Sequence, residues 1–368
     1  MNISCSQKDL DYALNVVNKA INPNNTLPVL NNILMNAQAG KLLFSATNLE
    51  IAISCSIDAD IKSEGAITVP AKLITSYISL LNDERVDLNL VNGVNLNIKS
   101  SSSNTIIKCI SAEEFPLIPK LEKDKYLEVN IDGFHKAINE TVFAASVNTS
   151  RPVLSGVLLS LEGEILKMVA TDSYRLAEKK IPLMGGTLED LECIVPARTM
   201  MELGKIVSKA DEKAVRMDIS KNQILFTVGG VELISRLIEG KFPDYRKIIP
   251  VEEKTRFEVM VEDLALVLKR VSLFARENNN SVSLVVNEDG KLIVASEETK
   301  VGEEKAEVFV KTNGVENSIS LNAQYLLDVL NFISDEKIDI IINDKESPAL
   351  VRPVKSEGYI YIIMPLKV

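Results

Sequence analysis

The chain has no tryptophan and a single histidine, His135. A lone imidazole cannot build a multi-histidine metal site and leaves little for Ser-His-Asp chemistry. Its place in a helical window predicts a surface or half-buried role. Four cysteines, Cys5, Cys55, Cys109 and Cys193, stand far apart, so no C-x-x-C metal or redox pair is available. They read as buried thiols of a reducing, cytoplasmic compartment. Neither G-x-x-x-x-G-K-[ST] nor G-x-G-x-x-G occurs, which removes sequence support for nucleotide binding. No catalytic residue, metal or cofactor is therefore assigned. There is no run of about 18 uncharged apolar residues, so no membrane span is expected. Residues 1–10 lack a basic region followed by an apolar core, and no secretory leader is expected there. Positive charge is scarce too, with 41 Lys and Arg against 51 Asp and Glu, a net charge of −10. That excludes wrapping of nucleic acid by general basicity, yet permits a basic lining beneath an acidic exterior.

What is present is repetition. The 368 residues, 46 % apolar and 25 % charged, suit a soluble globular chain of two or three domains. Val69-Pro70-Ala71-Lys72 opens a helical pattern, Val195-Pro196-Ala197-Arg198 a second, and Leu321-Asn322-Ala323-Gln324 a third, at a constant step of 126 residues. Leu27-Pro28-Val29-Leu30 recurs as Arg151-Pro152-Val153-Leu154. Ala46-Thr47-Asn48-Leu49-Glu50 recurs as Ala170-Thr171-Asp172-Ser173-Tyr174, and faintly as Ala295-Ser296-Glu297-Glu298-Thr299. Phe115-Pro116 recurs as Phe242-Pro243, with Met364-Pro365 in the third place. The chain reads as three copies of one unit of about 120 residues, spanning 1–120, 127–246 and 248–368.

Each copy predicts two helices separated by alternating strands. The windows are 7–21 and 71–81, then 133–146 and 197–208, then 263–275 and 323–333. Pro70 and Pro196 sit at helix starts, where a missing N–H costs nothing, and Asp132 and Asn322 are cap candidates. Segments 41–53 and 224–237 alternate and are broken by turn signals such as Gly229-Gly230. The serine run 100–103 reads as a hairpin tip. The fold class is α+β, with two helices packed on antiparallel sheets three times over. Tandem copies joined head to tail close into a ring if the rotation per copy divides a full turn, and otherwise run on as a filament. The helix windows hold eight basic and six acidic residues, leaving a net charge of −12 for the rest of the chain. The sign suits helices facing phosphate, and a solvated face accounts for it equally well.

The most individual phrase is Ala170-Thr171-Asp172-Ser173-Tyr174-Arg175-Leu176-Ala177. An acid, a hydroxyl, a phenol and a guanidinium lie within it, which suggests either an active site or the rim of a pocket. The counterparts in the first copy, Asn48, Glu50 and Ile51, keep no such chemistry, so a catalytic role for Asp172, Tyr174 and Arg175 is disfavoured.

With Val69-Pro70-Ala71-Lys72, this phrase, Gly240-Lys241-Phe242-Pro243-Asp244-Tyr245 and Tyr361-Ile362-Ile363-Met364-Pro365-Leu366, the chain resembles the bacterial sliding clamp family, the beta subunit of DNA polymerase III, over its whole length. The resemblance implies a DNA-clamp fold that closes as a head-to-tail homodimer ring around double-stranded DNA. Its role would be a processivity factor without chemistry of its own, holding the replicative DNA polymerase on its template and loaded by a clamp loader. It implies a pocket that takes short peptides from the polymerase, the loader and repair proteins, lined by Leu154, Thr171, Ser173, Tyr174, Arg175, Leu176, Pro243, Lys247, Ile248, Pro348, Ile362, Met364, Pro365 and Leu366. In this reading Tyr174 and Arg175 are rim groups that orient the visitor. DNA contacts would come from Asn24, Lys72, Asn148, Arg151, Pro152 and Val153, with Lys136, Arg198, Lys205 and Lys269 from the helices. The dimer seam would join Lys72 and Ile107 to Leu273, Phe274, Glu303 and Glu304. Many members carry Gly-His where this chain has Ser173-Tyr174, which predicts a bulkier rim without a titrating imidazole. The residue-level alternative is a ring- or filament-forming adaptor that does not bind DNA.

Overall fold

The computed structural model describes every residue except Pro23, Asn24, Thr26, Lys120, 122–124, Thr149, Val301, Lys367 and Val368. Six α-helices match the expected windows closely: α1 (Gln7–Val17), α2 (Ala71–Ser79), α3 (Ile131–Thr141), α4 (Ala197–Val207), α5 (Val261–Ala275) and α6 (Ala323–Leu330). Ser6 caps α1 by accepting from the Asp9 amide at 3.4 Å. Asn322 caps α6, its Oδ1 accepting from the amides of Gln324 and Tyr325 at 2.9 and 3.3 Å. Asp132 is not a cap: α3 starts one residue earlier, which places its carboxylate in the first turn, where it still opposes the helix dipole. The serine run is the expected hairpin tip, with the Ser100 amide donating to the Ser103 carbonyl at 2.9 Å between strands Asn95–Lys99 and Asn104–Lys108.

The chain condenses into two compact units, and the division falls inside the second sequence copy. The first unit comprises residues 1–131, 184–188 and 201–237. It holds a five-stranded antiparallel sheet in the order Asp60–Ser63, Asn2–Ser6, Arg85–Val91, Asn95–Lys99, Asn104–Lys108. A second antiparallel sheet runs Tyr126–Asn130, Ala214–Ile219, Gln223–Val228, Val231–Arg236, Ile51–Asp58, Lys41–Thr47, Asn32–Gln38, Gly65–Pro70. Helices α1 and α2 pack on one another, and α1 also lies on Lys41–Thr47 and Ile51–Asp58. Leu10, Ala13, Leu14 and Val17 of α1 are fully buried, the apolar stripe that the helical period predicted.

The second unit comprises 132–183, 189–200 and 238–368. Its larger antiparallel sheet runs Glu192–Pro196, Gly156–Glu162, Ile165–Thr171, Arg175–Gly186, Tyr359–Ile363, Ala349–Pro353, Lys337–Ile342, Thr255–Met260, Lys311–Gly314, the last three residues of Arg175–Gly186 belonging to the first unit. A four-stranded sheet runs Lys305–Phe309, Lys291–Ser296, Ser281–Val286, Asn317–Asn322, with α5 against three of its strands and against α6.

Each larger sheet is a fusion of neighbouring sequence copies. In the first unit, Ile51–Asp58 of copy one pairs with Val231–Arg236 of copy two. In the second, Arg175–Lys179 of copy two pairs with Tyr359–Ile363 of copy three. The units ignore the copy boundaries because each contains a ladder shared by two copies.

Candidate functional site

The turn at 171–175 is built from its own polar side chains. Asp172 Oδ1 accepts from the amides of Tyr174 and Arg175, both at 2.9 Å. Thr171 Oγ1 donates to the Arg175 carbonyl at 2.6 Å and accepts from the Ser173 amide at 3.2 Å. Ser173 is thereby held at φ +81°. The first copy repeats the arrangement: Asn48 Oδ1 accepts from Glu50 and Ile51, Thr47 Oγ1 donates to the Ile51 carbonyl, and Leu49 sits at φ +75°. The turn is thus a property of the repeat, and Thr and Asp are there because their short side chains satisfy backbone groups locally. In the third copy the residues between the two strands number eight, 297–304, instead of three.

The second copy differs at the residue that closes the turn. Arg175 Nε donates to Asp172 Oδ2 at 3.0 Å, Nη1 to Asp328 Oδ2 on α6, and Nη2 to the Phe143 carbonyl at 2.9 Å. Its guanidinium also lies over the Tyr325 ring at 4.6 Å and the Phe143 ring at 5.5 Å. Burial works against this charge, but Tyr361 and the Asp328 and Asp172 carboxylates outweigh it and hold the arginine pKa above its ordinary value. Each nitrogen of Arg175 is thus hydrogen-bonded inside the protein, which the sequence does not reveal because Asp328 comes from a distant part of the chain.

Beside the turn lies a cavity of about 120 Å³ lined by Leu154, Thr171, Ser173, Arg175, Leu176, Pro243, Asp244, Tyr245, Ile248, Ile362 and Met364. Its floor belongs to a core cluster in which Leu158, Val169, Leu176, Ile194, Phe242, Tyr245, Ile341, Leu350 and Ile362 are buried together. Phe242 and Tyr245 meet edge to face with centroids 6.4 Å apart, and the Tyr245 hydroxyl donates to buried Glu178 at 2.5 Å. These contacts fix the segment 242–245, which forms one wall. The Met364 amide donates to the Tyr174 carbonyl at 2.8 Å and fixes another. A second cavity of about 830 Å³ shares Met364 and adds Pro365, Leu366, Ser283, Val285, Ser318, Ile319, Ser320, Lys345 and Glu346. The Leu366 amide donates to the Ser320 carbonyl at 2.9 Å along its wall.

Of the pocket residues expected from sequence, nine line the first cavity and Pro365 and Leu366 the second. Tyr174, which is 62 % exposed, Lys247, paired with Asp244 at 3.1 Å, and Pro348 line neither. Asp244 and Tyr245 are lining residues that the sequence reading omits, although they complete the same Phe-Pro-Asp-Tyr phrase. Asp328 and Phe143 carry no sequence signal, because only the tertiary fold brings them to Arg175.

The expected DNA-facing residues differ in exposure. Lys72, Asn148, Arg151, Pro152, Lys205 and Lys269 are exposed, whereas Val153 and Arg198 are half-buried. Lys136 donates to Ser334 at 3.1 Å and faces Glu140 at 3.6 Å, and Lys205 pairs with Glu202 at 2.9 Å. Asn24 lies outside the described residues. Of the expected seam residues, Leu273 and Glu303 are exposed, Phe274 and Glu304 half-buried, and Ile107 is only 3 % exposed, whereas its neighbour Ile106 is 63 % exposed. Among the described residues, no group of three or more His, Cys, Asp or Glu could hold a metal ion, and no helix is long and apolar enough to cross a membrane.

Comparison with known proteins gives a consistent answer. Residues 1–119 match the family model for the DNA polymerase III beta subunit N-terminal domain, 128–244 its central domain, and 246–367 its C-terminal domain. The beta sliding clamp of Synechocystis sp. is 30 % identical, aligned over 100 % of this chain and 99 % of its own, and that of Staphylococcus epidermidis 29 % over 97 % of each. The crystal structure of the DNA polymerase sliding clamp from Bacillus subtilis is similar with a TM-score of 0.94 at 27 % identity, over 100 % of this chain and 99 % of that one. The Pseudomonas aeruginosa sliding clamp solved bound to griselimycin gives 0.94 at 26 % identity, covering all of both chains. The chain belongs to the DNA polymerase III beta subunit family, the bacterial beta sliding clamps.

Proposed function

We propose that this protein is a DNA sliding clamp without catalytic activity. Two copies pair head to tail into a ring around duplex DNA and hold the replicative polymerase on its template. Clamp loader and repair proteins dock by short peptides at the cavities beside 171–175. The protein works in the cytoplasm, on the nucleoid during replication, with clamp domains at 1–120, 127–246 and 248–368.

The observation that carries this reading is the pair of internal seams. Start five residues before α1, α3 or α5, at Asn2, Tyr126 or Arg256, and trace three successive cross-strand pairings. The walks end at Ile106, Ile234 and Ile362. Ile234 pairs with Ala52 and Ile362 with Leu176, and each is buried at its seam. Ile106 is exposed on the edge strand Asn104–Lys108, which among the described residues has no second neighbour in its sheet. The positions equivalent to Ala52 and Leu176 lead to Glu304, and Lys305–Phe309 is likewise an edge strand. One chain thus carries both halves of a third seam that it has not made with itself. A second copy completes it twice, with Ile106 opposite Glu304 and Ile107 opposite Glu303 of the partner. Leu273, which is 55 % exposed, and Phe309, 84 % exposed, supply apolar area for the same contact.

Processivity then comes from topology. A protein that must slide needs weak, sequence-independent phosphate contact, in keeping with a few exposed lysines and arginines and a net charge of −10. The docking cavities offer an apolar slot, and deletion of everything after Ile363 should abolish peptide binding while the dimer survives. The decisive experiment is retention on closed circular against linear DNA. A ring loaded on a circle stays and on a linear molecule slides off the ends. Equal retention on both sinks the clamp reading in favour of an adaptor that assembles without DNA.

A further inference from the structure

We infer that Asp328, which lines neither cavity, determines which side chains the first cavity accepts. This rests on the peptide-docking reading above. A guanidinium in the wall of an apolar slot would ordinarily recruit an acidic anchor, since a charge left unpaired in a low-dielectric site is costly. Here each nitrogen of Arg175 has a partner inside the protein: Nε on Asp172, Nη1 on Asp328 and Nη2 on the Phe143 carbonyl. The side chain is only 12 % exposed and is flanked by the Tyr325 and Phe143 rings. Asp172 is committed elsewhere, since its other oxygen caps two amides of the turn. Asp328 is the separable member. It comes from α6, is oriented by Gln324 Nε2 donating to its Oδ1 at 2.7 Å, and has no part in the turn. Asp172 alone balances the charge of Arg175; Asp328 makes the cluster net negative and occupies the Nη1 donor, so an acidic anchor is disfavoured and the slot selects an aliphatic or aromatic one. Asp328 is a positioning and specificity residue that acts through Arg175.

The test uses the full-length chain and two synthetic peptides that differ at one anchor, leucine or glutamate. The wild-type protein should prefer leucine. In Asp328→Ala the preference should shift toward glutamate by about tenfold or more, the worth of one charge-assisted hydrogen bond. A merely structural loss would weaken both peptides together and leave their ratio unchanged. In an Arg175→Met background the Asp328→Ala change should no longer move the ratio. An unchanged ratio in Asp328→Ala, or an equal shift with and without Arg175, overturns the inference. If Asp328→Ala does not fold, the isosteric Asp328→Asn retains the acceptor and loses the charge; it should shift the ratio in the same direction, and no shift overturns the inference equally. Failure of the wild type to bind either peptide would instead refute the docking reading itself.

Discussion

The thiols show how far a single residue's surroundings set its chemistry. Burial raises Cys5 and Cys193 to about 12, and Cys55 and Cys109 to about 11, from 9.0. All four should therefore resist alkylation at pH 8 in the native protein and react fully in denaturant, which a timed thiol titration measures. Because the folded pKa lies above the unfolded one, this contribution to stability is complete below pH 9 and is lost as pH rises from 9 toward 12. Denaturant melts across that range should show falling midpoints. The isolation of the cysteines in sequence anticipates buried thiols, which Cys5, Cys55 and Cys193 are, whereas Cys109 is half-buried. Nothing in sequence anticipates that Arg175 is spent inside the protein, because its partners Asp328 and Phe143 lie 153 and 32 residues away.

At the scale of an element, the turn 171–175 and its copy 47–51 form a matched pair for experiment. Asn48→Ala removes the one oxygen that accepts from two backbone amides and should cost about 1–2 kcal/mol, as loss of a comparable backbone cap does. Asp172→Ala removes the equivalent acceptor and also strips Arg175 Nε of its carboxylate, leaving a largely buried guanidinium short of charge. It should cost about 3 kcal/mol or more. Equal costs in thermal or chemical denaturation would show that the Arg175 cluster adds nothing to the turn. Only Asp172→Ala should also weaken peptide binding. The helices show the complementary lesson. Their windows are legible because an apolar stripe at a 3.6-residue period survives any tertiary context. Their ends are less legible: the 7–21 and 133–146 windows run too long, because each helix tightens into a 3-10 turn, Asn18–Ala20 and Val142–Ala144.

For the whole molecule, the two internal seams set the terms for the third. Ile106→Asp places a charge where its equivalents Ile234 and Ile362 are buried, and Glu303→Lys with Glu304→Lys reverses the facing strand. Each should convert a dimer to a monomer by light scattering while the melting profile keeps its cooperativity. A dimer as tight as wild type in either would refute the proposed register. Retention on DNA circles should fall in the same variants, since an open ring cannot be trapped.

The sequence alone determined the number of copies, the place of each helix and the alternation of strands. These are local or periodic features, fixed by propensity, hydrophobic period and turn chemistry, and they repeat wherever the copy repeats. Tertiary structure alone decided which strands zip the copies together, that Ile106 faces outward where Ile107 faces in, and that Arg175 gains a second carboxylate from α6. Register and ion pairing depend on groups far apart in the chain, and a shift of one residue turns every side chain of a strand to its other face. No count of residues or spacing within one copy contains that information.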